Sequence, residues 1–170
     1  MTKRSFNNLI NFYYLCSHSY NSMFNKETEY ALRSMVYIQA QNLKGRKPGV
    51  DEIARATEAP RHFTAKILHR LVRSGFLLSA KGKGGGFNID QEKPSVNIYD
   101  VVTAVEGQKI FSGCVFGLKN CSNESPCPLH NRYKSIRESL GELLSTETIL
   151  SLAQKYQAYQ KTPPFQQPGS

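Results

Sequence analysis

The sequence predicts a mainly α-helical fold with one small β-hairpin, and three observations carry that expectation. Apolar residues recur every three or four positions over most of the chain, the period of helices that pack through one face. One stretch, 76–89, instead has short apolar runs on either side of a glycine cluster, the pattern of two strands and a turn. Hydrophobic residues make up 39% of the 170 and charged residues 21%, enough for one buried core, while the length is too short for two independent globules. No run of eighteen or more apolar residues occurs, so no membrane-spanning helix is expected.

Residues 1–22 carry Lys3 and Arg4 ahead of Leu9, Ile10, Phe12, Tyr13, Tyr14 and Leu15, but Asn7, Asn8 and Asn11 break the apolar run, so it does not read as an export signal. Met23 offers an alternative start, and 1–22 is expected to be a disordered or artefactual extension. The segment 27–41 then places Tyr30, Ala31, Met35 and Ile38 on one helical face, with Glu27 and Glu29 in the first turn. A basic break containing Pro48 leads into a short helix over 50–57, again with acids first. Thr57, Glu58, Ala59 and Pro60 form a corner, and Pro60 opens a longer helix over 61–74 that Gly75 ends. In that helix Phe63, Ile67, Leu68, Leu71 and Val72 form the expected inward stripe.

A short helix, a tight corner and a longer helix have the dimensions of a helix-turn-helix, whose second helix enters the major groove of DNA. Phe76 to Ser79 and Phe87 to Ile89 are the expected strands of a wing around Lys81-Gly-Lys-Gly-Gly-Gly86. From Arg61 to Ile89 there are six Lys or Arg and no Asp or Glu, so much of the net charge of +9 sits where a duplex would lie. The expected DNA contacts are Pro60, Arg61, His62, Thr64, Lys66 and Arg70 from the helix, with Lys81, Lys83, Gly84, Gly85 and Gly86 from the wing. The glycines do not spell a nucleotide-phosphate loop, because a strand-like Phe-Asn-Ile follows them where a helix N-terminus is needed.

A further helix is capped by Asn97 and closed by Gly107, with Ile98, Val101, Val102 and Val105 as its core face. Residues 108–128 lose periodicity and fill with Gly, Ser, Asn, Pro and Cys. From 129 to 144, Tyr133, Ile136, Leu140 and Leu143 recur at helical spacing, the pattern of a long helix that pairs with a second copy of itself. Ser145 is expected to cap a last short helix running to about Tyr156, before a disordered tail. The domain reading is therefore 1–22 extension, 23–107 DNA-binding domain, 108–128 loop, 129–160 dimerisation helix with the C-terminal short helix, and 161–170 tail.

Three of the four cysteines cluster as Cys114-x6-Cys121-x5-Cys127, followed at x2 by His130. Thiolates and imidazole suit zinc or an iron-sulfur cluster, and the spacing by itself leaves both open beside free thiols or a reversible disulfide switch. A catalytic cysteine is not supported, since no activating base or oxyanion site accompanies it, and the chain is not expected to be an enzyme.

Glu29-Tyr-Ala-Leu-Arg33, the run from Leu71-Val-Arg-Ser-Gly-Phe76 into the wing, and the three cysteines together resemble the Rrf family of winged-helix transcriptional regulators of the IscR and NsrR type, over Phe24 to about Ala158. The resemblance implies a cytoplasmic homodimer that binds double-stranded DNA at a palindromic operator, acting as a repressor. It also implies an iron-sulfur cluster on Cys114, Cys121 and Cys127 whose state, responding to cluster supply, redox or nitric oxide, sets DNA affinity. Its fourth ligand would be His130, which favours [2Fe-2S], or Glu29 of the other subunit, as in the nitric-oxide sensors, and [4Fe-4S] is the other cluster type in the family. Some relatives carry an acid mid-way along the recognition helix where this chain has Ala65, so operator preference is expected to differ.

Overall fold

The computed structural model describes residues 23–161 except Lys83, with side chains through Ala158. The expectations for residues 1–22, for Lys83 and for the tail from 162 onward lie outside the described residues.

Helix α1 (Lys26–Asn42) is the hub, because its apolar residues Ala31, Met35 and Ile38 are fully buried and most of the other helices and one strand of the hairpin pack on it. Asn25 caps it by accepting from the Thr28 amide at 2.9 Å, satisfying one of the four orphan N–H groups of the first turn. Helix α2 (Val50–Thr57) contributes Ile53, and α3 (Arg61–Arg73) contributes Ile67, Leu68 and Leu71 to the same core. Between α2 and α3 the chain turns at Glu58, a non-glycine residue in the left-handed region (φ 53°), so two helices meet across a three-residue corner.

The expected stripe on α3 is shifted. Phe63 is 44% exposed, whereas Thr64 is fully buried and its hydroxyl donates to the Pro60 carbonyl at 3.2 Å. With Ile67, Leu68 and Leu71 at the centre of the buried face, position 64 falls three, four and seven residues before them, and position 63 falls at the edge.

Strands β1 (Leu78–Ala80) and β2 (Gly86–Asn88) pair antiparallel, with Leu78 opposite Asn88 and Ala80 opposite Gly86. The first strand begins later than expected because Leu77 is drawn into the core. The hairpin is anchored from outside: the Phe87 amide donates to Pro48 at 3.0 Å, and the Asn42 side chain accepts from the Ile89 amide at 2.9 Å and donates to the Arg46 carbonyl at 2.8 Å.

Helix α4 (Ile98–Glu106), capped by Asn97 as expected, buries Val101 and Val102. A short α5 (Lys109–Ser112) lies inside the segment expected to be a loop, held where Phe111 stacks on Tyr99 at 4.3 Å between ring centres. The long α6 (His130–Thr146) does not stop at Ser145 as expected. The Ser145 and Thr146 hydroxyls donate back to the carbonyls of Gly141 and Leu143, which continues the helix instead of capping a new one. Thr148 and Ser151 exchange reciprocal bonds at 3.0 and 3.2 Å to start α7 (Ile149–Lys161), which runs past the expected end at Tyr156 and returns onto α1, where Gln157 donates to the Ala40 carbonyl. No helix among the described residues is long and apolar enough to cross a membrane.

Candidate metal centre and nucleic-acid interface

The segment between α5 and α6 folds back on itself through local turns. Gly117, at φ 67°, lets its amide reach the Cys114 carbonyl at 2.9 Å, and the Ser122 hydroxyl accepts from the amides of Glu124 and Ser125. The His130 amide donates to the Cys127 carbonyl at 3.0 Å, so the x2 spacing becomes one turn at the mouth of α6. The result brings the Cys114, Cys121 and Cys127 sulfurs within 4.8 Å of one another, with Cys114 and Cys127 at 3.7 Å. His130 touches one member of that set, its Nδ1 lying 3.1 Å from the Cys121 sulfur. On the far side of the ring, Nε2 is 3.0 Å from Asn123 Oδ1; with that oxygen accepting from Nε2–H, the Nδ1 lone pair points at Cys121.

The thiols are not equivalent. Partial burial raises Cys114, but donation from the Phe116 and Leu118 amides and from the Cys121 and Cys127 thiols outweighs it and lowers its pKa. For Cys121 the Cys127 amide acts to lower the pKa, yet partial burial and the neighbouring sulfurs of Cys127 and Cys114 prevail and raise it. Between Cys114 and Cys121, the thiolate is favoured on Cys114. The donor set fits a soft metal: two thiolates on one tetrahedral ion, with bonds of ~2.3 Å, stand ~3.8 Å apart, and the Cys114 and Cys127 sulfurs are at 3.7 Å.

Glu29 lies in the first turn of α1, its side chain 11% exposed, and pairs with Lys26 at 2.9 Å and Arg33 at 3.5 Å.

The cationic face lies on α2, α3 and the hairpin. Pro60 stands at the N-cap of α3, Arg61 is exposed and ion-paired with Asp51 of α2, and the exposed His62 ring lies 4.7 Å from that of Phe63. Lys66 and Lys81 are exposed with no ion-pair partner among the described residues. Two expected contacts are redirected. Thr64 is inside the core, and Arg70 reaches inward, pairing with Glu27 of α1 at 3.2 Å and donating to the Val105 carbonyl of α4 at 3.0 Å.

The wing glycines have separate reasons. Gly84 (φ 82°) faces open space, a Cβ on Gly85 would lie 2.3 Å from the Ala80 carbonyl oxygen, and one on Gly86 (φ 143°) would lie 2.3 Å from that of Lys47. Gly85 and Gly86 are thus required by the hairpin's own packing.

A family model described as Rrf2, iron-dependent transcriptional regulator, matches residues 24–155. The chain belongs to the Rrf2 family of transcriptional regulators. A protein of Aquifex aeolicus (strain VF5) that carries the provisional name HTH-type transcriptional regulator is 27% identical to this Rrf2 chain over 132 residues, covering 76% of it and 90% of the relative. Among solved structures, CymR (YrzC), the global cysteine regulator of B. subtilis, superposes with a TM-score of 0.64 at 19% identity, over 78% of this chain and 96% of that one. T. potens IscR superposes with a TM-score of 0.65 at 16% identity, over 86% and 96%. The fold is accordingly a winged helix, and this Rrf2 protein is a DNA-binding regulator of transcription.

Three residues of the Rrf2 chain escaped the sequence reading. Asn123 orients His130, and nothing in its spacing marks it. Phe63 is exposed, a consequence of helical phase. Lys47 lies beside the wing, because the Lys47-Pro48 backbone packs against Gly86 and Phe87 as an outer strip of the hairpin. The basic run Lys44, Arg46 and Lys47 was its available signal.

Proposed function

We propose that this Rrf2-family regulator is a cytoplasmic homodimer that represses transcription from a palindromic operator, and that an iron-sulfur cluster held by Cys114, Cys121, Cys127 and His130 sets its affinity for that operator. The observation that supports the cluster reading is the convergence of four donors, the Cys114, Cys121 and Cys127 sulfurs within 4.8 Å of one another and His130 Nδ1 at 3.1 Å from Cys121. A two-iron cluster offers two terminal positions on each iron, and these four donors match that number for [2Fe-2S]. When bound, such a cluster supplies an iron whose reactivity with oxygen or nitric oxide is the signal. His130 is favoured over a partner's Glu29 as fourth ligand because Glu29 is already engaged by Lys26 and Arg33. The iron-dependent description of the family favours iron over zinc.

Ligation ties the 108–128 loop to the start of α6, and through that helix to the DNA-reading unit it packs on. Ile136 and Leu143 of α6 are 63% and 57% exposed, which supports pairing of α6 with a second copy and lets a change in the loop alter the spacing of two recognition helices. Lys66, Lys81 and Lys47 supply phosphate contacts in this reading, joined by Arg61, His62 and, outside the described residues, Lys83.

Anaerobic purification with absorption spectrum and metal and sulfide counting tests the reading. The expected result is a coloured protein with about two irons and two sulfides per chain, and tighter operator binding in one cluster state than in the other. Equal operator affinities in the two states would remove the switch.

A second reading keeps the fold and replaces the cluster by one zinc ion or a thiol switch, favoured by the compactness of the three sulfurs and by the lowered pKa of Cys114. Colourless protein with one zinc, or with neither metal and a reducible Cys114–Cys127 bond, would establish it instead.

A further inference from the structure

Phe63 is a large apolar side chain left 44% exposed on the third residue of α3. Around it the surface is polar or cationic on its own helix: His62 and Lys66 are exposed, Arg61 precedes it with its charge paired to Asp51 of α2, and no Asp or Glu occurs from Arg61 to Ile89. Exposing an aromatic ring there is costly unless a partner covers it, and a partner that approaches a surface with this charge is a polyanion. The helix phase is not free to hide the ring. Thr64, next in the chain, is completely buried and bonds back to Pro60, and Ile67, Leu68 and Leu71 set the helix phase from the core. His62 supports the ring at 4.7 Å with the planes tilted by 49°, so the two rings form a preset edge at the N-terminal end of the second helix of the helix-turn-helix.

Resting on the proposed placement of α3 in the major groove, we propose that Phe63 is a specificity-determining residue that reads the 5-methyl group of a thymine. In the major groove the base edges offer hydrogen-bonding groups and, on thymine alone, a methyl group; a phenyl ring has no hydrogen bond to give, so the methyl is what it recognises. Contact covers the exposed ring, and a cytosine at the same position leaves it against an amino group.

The test uses an operator selected from random duplexes by the wild-type dimer, with each thymine replaced in turn by uracil, which removes only the methyl. Wild-type protein is expected to lose about fourfold in affinity at one thymine per half-site, the ~0.8 kcal/mol of a single buried methyl. Phe63→Ala is expected to bind the thymine and uracil duplexes equally, with its salt dependence unchanged, and Phe63→Leu to keep part of the discrimination. Indifference of the wild type to every replacement, or undiminished discrimination in Phe63→Ala, overturns the proposal. So does a Phe63→Ala protein that binds both duplexes equally weakly because its dimer dissociates, which would place the ring in a subunit contact. Failure of the wild type to select any duplex would instead remove the reading of the DNA-facing surface on which this rests.

Discussion

Arg137, two turns into α6, donates through its guanidinium to the carbonyl of Ser112 at 3.1 Å, and the same nitrogen reaches the carbonyl of Gly113, the residue before Cys114. Its guanidinium lies over the Tyr133 ring, 5.1 Å from the ring centre. One side chain of the long helix therefore holds the backbone from which the first thiol of the centre projects. Arg137→Gln is expected to lower stability by about 1–2 kcal/mol, as for loss of a charged donor to partly exposed carbonyls. It is also expected to raise the rate at which Cys114 reacts with a thiol reagent. A reaction rate equal to wild type would show that the loop is ordered without this link.

Asn123 acts on the centre through His130. Asn123→Ala leaves Nε2 without its acceptor and releases the ring to the other tautomer, and metal affinity is expected to fall by about tenfold or more. Competition with a chelator measures this, with His130→Ala as the upper limit of the effect.

Gly86→Ala forces a methyl against the Lys47 and Pro48 carbonyls at a backbone angle that side chains rarely adopt. A cost of about 2–3 kcal/mol and a weakened operator complex are expected. Gly84→Ala, in open space at φ 82°, is expected to cost only about 1 kcal/mol. Urea unfolding of the two variants separates them, and equal costs would mean that the wing is not packed on the Lys47 strip.

Lys66 and Arg70 lie one helical turn apart on α3 with opposite duties. Lys66→Ala is expected to leave the melting temperature unchanged and to reduce the slope of log affinity against log salt by about one. Arg70→Ala, which abandons Glu27 and the Val105 carbonyl, is expected to cost about 1–2 kcal/mol of stability with the salt slope preserved. A reduced slope in Arg70→Ala would return that residue to the DNA surface.

Glu147 sits where α6 gives way to α7, and donation from Lys155, then from Ser151, holds its carboxyl below the usual carboxylate range. Because the folded pKa is depressed, its contribution to stability is present above the ordinary value of 4.5 and is lost as pH falls through the folded value. The difference in unfolding midpoint between wild type and Glu147→Gln should therefore shrink on acidification. A constant difference would show that the carboxylate charge does not matter there.

The winged-helix architecture was legible in the residue order, since helical periodicity, the Pro60 corner, the Asn97 cap and the glycine-rich hairpin are all local signals that need no partner to be read. The cysteine trio was legible as a donor set for the same reason. Less visible was how each helix rotates against its neighbours. Thr64 and Phe63 exchange the places expected of them because the phase of α3 is set by Ile67, Leu68 and Leu71 against α1, and a threonine whose hydroxyl can bond back one turn is no penalty inside a core. Arg70 reads as a free cation until Glu27 and the end of α4, distant in the chain, are brought beside it. The α6–α7 boundary likewise depends on the Val96–Ile98 strip, where the Ile98 amide takes the Glu147 carbonyl and the Ile149 amide takes that of Val96. Amino-acid order alone determined the main elements, α5 excepted, and which donor side chains the chain carries. Only the packed structure decided which side chains that chemistry can use, because a residue's exposure and bonding depend on what lies across from it, and pairwise proximity between distant segments is not encoded at any single position.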